Sequence, residues 1–168
     1  RFGLIDSDVR ENWLNVVAVD SSNTIASFSN GCGDTKAYCI AAPGVDIYST
    51  VNGGYASYDG TSMAAPHVTG AVALMKDKWP NLTGAQIVDL ILSSATDLGA
   101  AGTDEVYGVG LLNMGGAMTA TASQNFSYVD SGGSLQKIEK NGSIIANSIL
   151  GNLTSKNIAI GIVDGYDR

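Results

Sequence analysis

Gly60-Thr61-Ser62-Met63-Ala64-Ala65-Pro66-His67-Val68-Thr69-Gly70 is the stretch whose reading decides the fold. It runs through a glycine into a serine and on into an apolar segment of small residues that reaches Lys78. Met63, Val68, Ala71, Val72, Leu74 and Met75, with Ala and Gly between them, predict a helix over 62–78. That helix is apolar nearly all round, which is the pattern of a buried helix. Pro66 suits the opening turns, and Trp79-Pro80 ends the segment. A serine at the start of such a helix lies beside unpaired backbone N–H groups and a partial positive charge. Those donors suit a developing oxyanion. The plainer alternative is that Thr61 or Ser62 only caps the helix, a common use of both residue types. The esterase elbow G-x-S-x-G is excluded, because Ala64 stands at its second glycine.

Outward from this segment the chain reads as α/β. Trp13–Val19 is a short β-branched apolar run before the turn Asp20-Ser-Ser-Asn23, and it predicts a buried strand. Thr24–Phe28 alternates and suits a short extended piece. Ile40-Ala-Ala42 is stopped by Pro43-Gly44. Val45–Val51 and Tyr55–Asp59 flank Asn52-Gly-Gly54, which predicts a hairpin. Thr83-Gly-Ala-Gln86 has the form of a capping box ahead of a second helix carrying Ile87, Val88, Leu90, Ile91 and Leu92. Tyr107–Asn113 reads as extended, and Met114–Ala122 as a short helix. From Ser123 the composition turns polar, and we place a soft boundary near residue 122.

The composition sets limits. With 168 residues and 45% hydrophobic residues, the chain can bury a core. Its net charge of -7 argues against non-specific binding to nucleic acid or an anionic membrane. No apolar run is long enough to span a bilayer as a helix. The first residue is Arg1 and no leader is visible, so a fragment or a processed product is expected. Cys32 and Cys39 bracket a polar loop with a spacing that fits no paired zinc motif. A local disulfide is the favoured reading, with two free thiols as the alternative.

Gly-Thr-Ser-Met-Ala-Ala-Pro-His-Val-x-Gly resembles, along its whole length, the nucleophile segment of the subtilisin-like serine peptidases, the subtilases. Val16–Asn23, Ala26–Ser29, Ala42–Gly44 and Ile47–Thr50 resemble the strands and turns that precede that serine. Tyr107–Asn113 resembles the segment closing the catalytic domain, so the likeness covers about residues 14–120. The Cys32/Cys39 loop running into Ile40-Ala-Ala-Pro-Gly44 is similar to subtilases carried by bacterial autotransporters. The tail, ending Ile162-Val-Asp-Gly-Tyr-Asp-Arg168, resembles the stretch leading into their translocator.

The resemblance implies the C-terminal part of a three-layer α/β/α fold with a mainly parallel sheet over 1–122. A less regular tail or linker over 123–168 would lead to a translocator. It implies a secreted or cell-surface serine endopeptidase acting on polypeptides. Ser62 would be the nucleophile, in a turn formed with Gly60 and Thr61, and its N–H would be an oxyanion donor. The family uses an Asp, a His and a Ser. His67 matches a helix histidine that is not the catalytic base, and five positions along a helix carry it to another side. Asp20, Asp34, Asp46 and Asp59 match no triad position and read as turn residues. The 168 residues alone are therefore expected to be inactive and to need the missing N-terminal half as a partner. Calcium is common in the family, yet no ligand set is assigned here and no other cofactor is implied. A non-catalytic structural or secretion module is the second reading.

Overall fold

The computed structural model describes residues 11–119, 124–129, 135–138 and 160–164. The chain forms two compact units, Arg1–Met118 and Thr119–Arg168.

The first unit is built on a parallel pair, β1 (Asn15–Val19) and β2 (Cys39–Pro43), in register from Asn15↔Cys39 to Val19↔Pro43. Both strands are short apolar runs with side chains alternating between faces. Val17, Val19, Cys39 and Ala41 pack on one side with Cys32, Ile25, Leu98, Tyr107 and Leu111. On the other side Val16 lines a cavity of about 270 Å³ together with Ala65, Val68 and Val72. A strand pair covered on both faces is the inner layer of a three-layer α/β architecture. Tyr107–Asn113, expected to be extended, is so only in its second half: Tyr107–Gly110 is a turn closed by Gly110 N–H on Tyr107 C=O, with Gly108 and Gly110 at positive φ. Leu111 bridges Ala41 in parallel and Thr96 in antiparallel fashion, which widens the pair on the β2 edge. On the β1 edge, Ala18 N–H donates to the Ser29 hydroxyl and Ala18 C=O accepts from Ala26 N–H. Thr24–Phe28 is therefore a turn with one bridge, Val19↔Ile25, and no strand.

After Pro43 the chain turns into a hairpin, β3 (Ile47–Val51) and β4 (Gly54–Tyr58), paired from Ile47↔Tyr58 to Val51↔Gly54. It leads into helix α1 (Thr61–Lys78), which packs on β1, β2 and a second helix, α2 (Gly84–Ser93). The capping box of α2 is formed: Gln86 N–H donates to Thr83 Oγ1 at 3.2 Å, and Thr83 N–H donates to Gln86 Oε1 at 2.8 Å. The expected short helix after Asn113 is a single turn, α3 (Met114–Ala117), capped by Asn113 Oδ1 on Gly116 N–H.

One expectation for α1 is corrected. It is not buried all round: Ala64, Val68, Ala71 and Met75 form one buried stripe, while Leu74 is 57% exposed. The stripe follows the helical spacing of four, three and four, and only this side meets the strands and α2.

In the second unit, β5 (Gln124–Val129) pairs antiparallel with both β6 (Leu135–Ile138) and β7 (Ile160–Asp164). The described part of the tail is thus a three-stranded sheet in the order β6-β5-β7. Polar residues alternate with aromatic and β-branched ones in Gln-Asn-Phe-Ser-Tyr-Val, a strand pattern that the polar average over 123–143 conceals.

Candidate active site

Ser62 occupies the second position of α1 and is exposed. The cap is Gly60, which has no side chain to bond with, so neither Thr61 nor Ser62 serves as N-cap. Gly60 adopts φ 157° and ψ 156°, a region essentially restricted to glycine. Its C=O accepts from Met63 N–H at 3.0 Å and Ala64 N–H at 3.2 Å, closing the first turn. Among the described residues nothing accepts from the N–H groups of Thr61 and Ser62, and nothing partners the Ser62 hydroxyl. Two donors at the positive end of the helix are therefore free beside the hydroxyl.

A backbone relay fixes this turn to the sheet. Gly44 N–H donates to Val19 C=O at 2.9 Å, and Gly60 N–H donates to Gly44 C=O at 2.7 Å. The turn thus hangs from the C-terminal end of β1, the end at which open α/β sheets hold ligands. Gly44 allows this approach. A Cβ built there would lie 2.6 Å from Ala18 Cβ and 2.8 Å from Gly60 O. The sequence marks Pro43-Gly44 only as a turn, and the close contact has no local signal.

His67 is exposed, and its Nδ1 lies 2.9 Å from Met63 C=O. A carbonyl only accepts, so Nδ1 carries the proton and the ring is held against its own helix. No hydrogen bond joins it to Ser62 among the described residues. The carboxylates serve local turns: Asp20 Oδ1 accepts from Ser22 and Thr24 N–H, and Asp59 Oδ1 accepts from Asp46 N–H at 2.6 Å. Asp34 lies in the first turn of the 3-10 helix Gly33–Tyr38. No cluster of three metal-ligating side chains occurs among the described residues.

Cys32 and Cys39 form a disulfide, and both are buried. Their loop borders a pocket of about 240 Å³ that also touches Asn15, Phe28, Asn30 and Thr61. The disulfide loop and the Ser62 turn thus meet at one depression. The disulfide loop is tied by Cys32 N–H on Val106 C=O and Gly33 N–H on Glu105 C=O to a second loop, which the sequence does not announce. Asp104 accepts from Tyr107 N–H at 2.8 Å, Val106 N–H at 2.7 Å and Ala100 N–H at 3.0 Å. These bonds, Tyr107's foremost, hold its carboxyl below the usual carboxylate range against partial desolvation, with help from Lys36. An aspartate two and three residues ahead of two of the N–H groups it binds, those of Val106 and Tyr107, is the only local signal for it.

A parallel strand pair packed by a helix that opens on a serine places the chain in the α/β class. The family model for the subtilase family matches residues 5–110, and the chain belongs to that family. The chain is 39% identical over 130 residues to the extracellular serine protease of Serratia marcescens. It is 41% identical over 115 residues to serotype-specific antigen 1 of Mannheimia haemolytica. Each match covers 64% of this chain and 12% of the relative, so the chain spans about an eighth of their length. The patellamide maturation protease PatA superimposes with a TM-score of 0.55 at 34% identity, over 64% of this chain and 42% of that one. The fold is the subtilisin-like α/β fold.

Proposed function

We propose that this chain is the C-terminal part, over residues 1–122, of a subtilase catalytic domain that hydrolyses peptide bonds through an acyl-enzyme on Ser62. The observation that carries the reading is the exposed Ser62 hydroxyl at a helix start whose Thr61 and Ser62 N–H groups have no acceptor among the described residues. Ser62 Oγ attacks the substrate carbonyl while its proton passes to a general base. The Ser62 N–H, beside Gly60 and Thr61, donates to the oxyanion. The oxyanion collapses, the C–N bond breaks, and the leaving amine takes the proton. Water then repeats the sequence on the ester. The single imidazole of the chain, His67, is bonded to Met63 C=O, so the base and its aspartate come from outside these 168 residues. The chain alone is then inactive, and the missing N-terminal part of the domain is its partner.

The names of the Serratia and Mannheimia relatives, an extracellular protease and an antigen, together with the disulfide, support a secreted or cell-surface location. They also fit a bacterial autotransporter in which residues 123–168 lead towards a translocator. Among the described residues no helix is long and apolar enough to cross a membrane.

The test is labelling of the full-length protein with a fluorophosphonate probe that reacts with activated serines. Labelling that disappears with Ser62→Ala is expected. A folded protein that does not label would move the chain to a structural or secretion role.

A further inference from the structure

Three tyrosines stand out on the surface of the β3–β4 hairpin: Tyr48 is 70% exposed, Tyr55 65% and Tyr58 52%. Tyr48 pairs with Ser57 and Thr50 with Tyr55, so Tyr48 and Tyr55 are diagonal neighbours on one face. Their rings stack with centroids 5.5 Å apart and an interplanar angle of 17°. The two stacked rings remain largely open to solvent. A pair this exposed adds nothing to the buried core. The same element carries two carboxylates, Asp46 and Asp59, one step beyond the Ile47↔Tyr58 pair, and both are exposed. From Val45 to Gly60 the sequence has no Lys or Arg. The hairpin is therefore an aromatic and purely anionic surface on a chain of net charge -7. Asp59 is also three residues ahead of Ser62, so the hairpin leads directly into the nucleophile turn.

Charge complementarity selects the occupant. Electron-rich ring faces next to carboxylates favour a cation with a flat or alkyl body. An acidic or phosphorylated partner is repelled, and a neutral apolar one leaves the carboxylates to be desolvated without a partner. We infer that the Tyr48/Tyr55 stack, with Asp46 and Asp59, is a docking surface for arginine- or lysine-bearing extended polypeptide. It sets a preference for basic sequence in the segment that passes the Ser62 turn. A guanidinium plane lies over an outer tyrosine face, and its N–H groups reach a carboxylate. The use of this surface in catalysis rests on the peptidase reading, whereas the binding itself does not.

The experiment measures binding without turnover. The full-length protein carrying Ser62→Ala is titrated with a labelled unstructured peptide containing several arginines. The same peptide with each arginine replaced by neutral citrulline is titrated beside it. The arginine form is expected to bind about tenfold tighter, with the difference fading at high salt. The double variant Tyr48→Ala/Tyr55→Ala is expected to remove about tenfold of that affinity, and Tyr48→Phe/Tyr55→Phe to restore it. Asp59→Asn keeps the oxygen that accepts from Asp46 N–H, so a loss with it reports charge and not folding. Equal affinity for the two peptides would overturn the inference. So would unchanged binding by the double alanine variant at unchanged circular dichroism. A tyrosine-dependent dimer in sedimentation would assign the face to a second copy and overturn it as well. A protein that discriminates the peptides but does not label at Ser62 would sink the peptidase reading alone.

Discussion

Helix α1 has two sides that meet opposite conditions. One carries Ala64, Val68, Ala71 and Met75 and is sealed against β1, β2 and α2. The rest of its circumference, with Ser62, His67 and Leu74 at different angles around it, faces solvent. Both sides come from one run of small and apolar residues, so composition does not separate them. The difference teaches how a reactive hydroxyl is held still. The buried stripe fixes the rotation of the helix about its axis, and that rotation leaves Ser62 accessible. Gly60 and Gly44 then set its height above the sheet through backbone hydrogen bonds. The stripe supplies stability and the open side supplies chemistry, and neither does the other's work.

The sharpest break of this comparison uses two neighbours in sequence. Met75→Ala is expected to destabilise the protein by about 3 kcal/mol, because a fully buried side chain leaves a cavity. Leu74→Ala is expected to change stability by less than about 0.5 kcal/mol. Urea unfolding of the two variants checks both. Equal losses would mean that a further element covers the open side of α1 in the intact protein.

A second test bears on how the two sides are tied to the sheet. Gly44→Ala places a methyl against Ala18 Cβ and Gly60 O, and about 2 kcal/mol of destabilisation is expected. In the full-length protein the rate of fluorophosphonate labelling should fall as well, since the Gly60 N–H to Gly44 C=O bond positions the nucleophile turn. Loss of stability with an unchanged labelling rate would show that the relay holds the fold and not the site.

The smallest effect concerns acid. The carboxyl of Asp104 is held below its ordinary value in the folded chain, so protonation favours the unfolded state. Its contribution is complete above the ordinary carboxylate range and is lost as the pH falls below about 4, through the lowered folded value. Asp104→Asn keeps one acceptor and loses the charge. It is expected to cost about 1 kcal/mol at neutral pH and to flatten the acid limb of a melting-temperature profile. A parallel acid limb in the variant would move the origin of that dependence to another carboxylate.

Much of this could be read along the chain, and the reason differs from element to element. The capping box at Thr83 and Gln86 lies within three residues, so its geometry is written locally. The hairpin around Asn52-Gly53 is similarly short-range. The length and match of Gly60–Gly70 placed Ser62, because a close backbone approach at a helix start tolerates few residue types. The antiparallel strands of the tail were hidden by a polar average, although alternation is present in Gln124–Val129. The acidic anchor at Asp104 was hidden because its three bonds need a loop already folded back on itself.

The sequence by itself determined the α/β character, the helix that begins beside Ser62 and the subtilase resemblance, and it favoured the disulfide that the structure forms. Each depends on residue type at short spacing, where sterics and hydrogen bonding act within a few residues. Only the tertiary structure decided which side of α1 is buried and how Gly44 joins β1 to the nucleophile turn. Those outcomes depend on contacts such as Asn15↔Cys39, between residues far apart along the chain. No periodicity within one segment records what another segment brings to meet it.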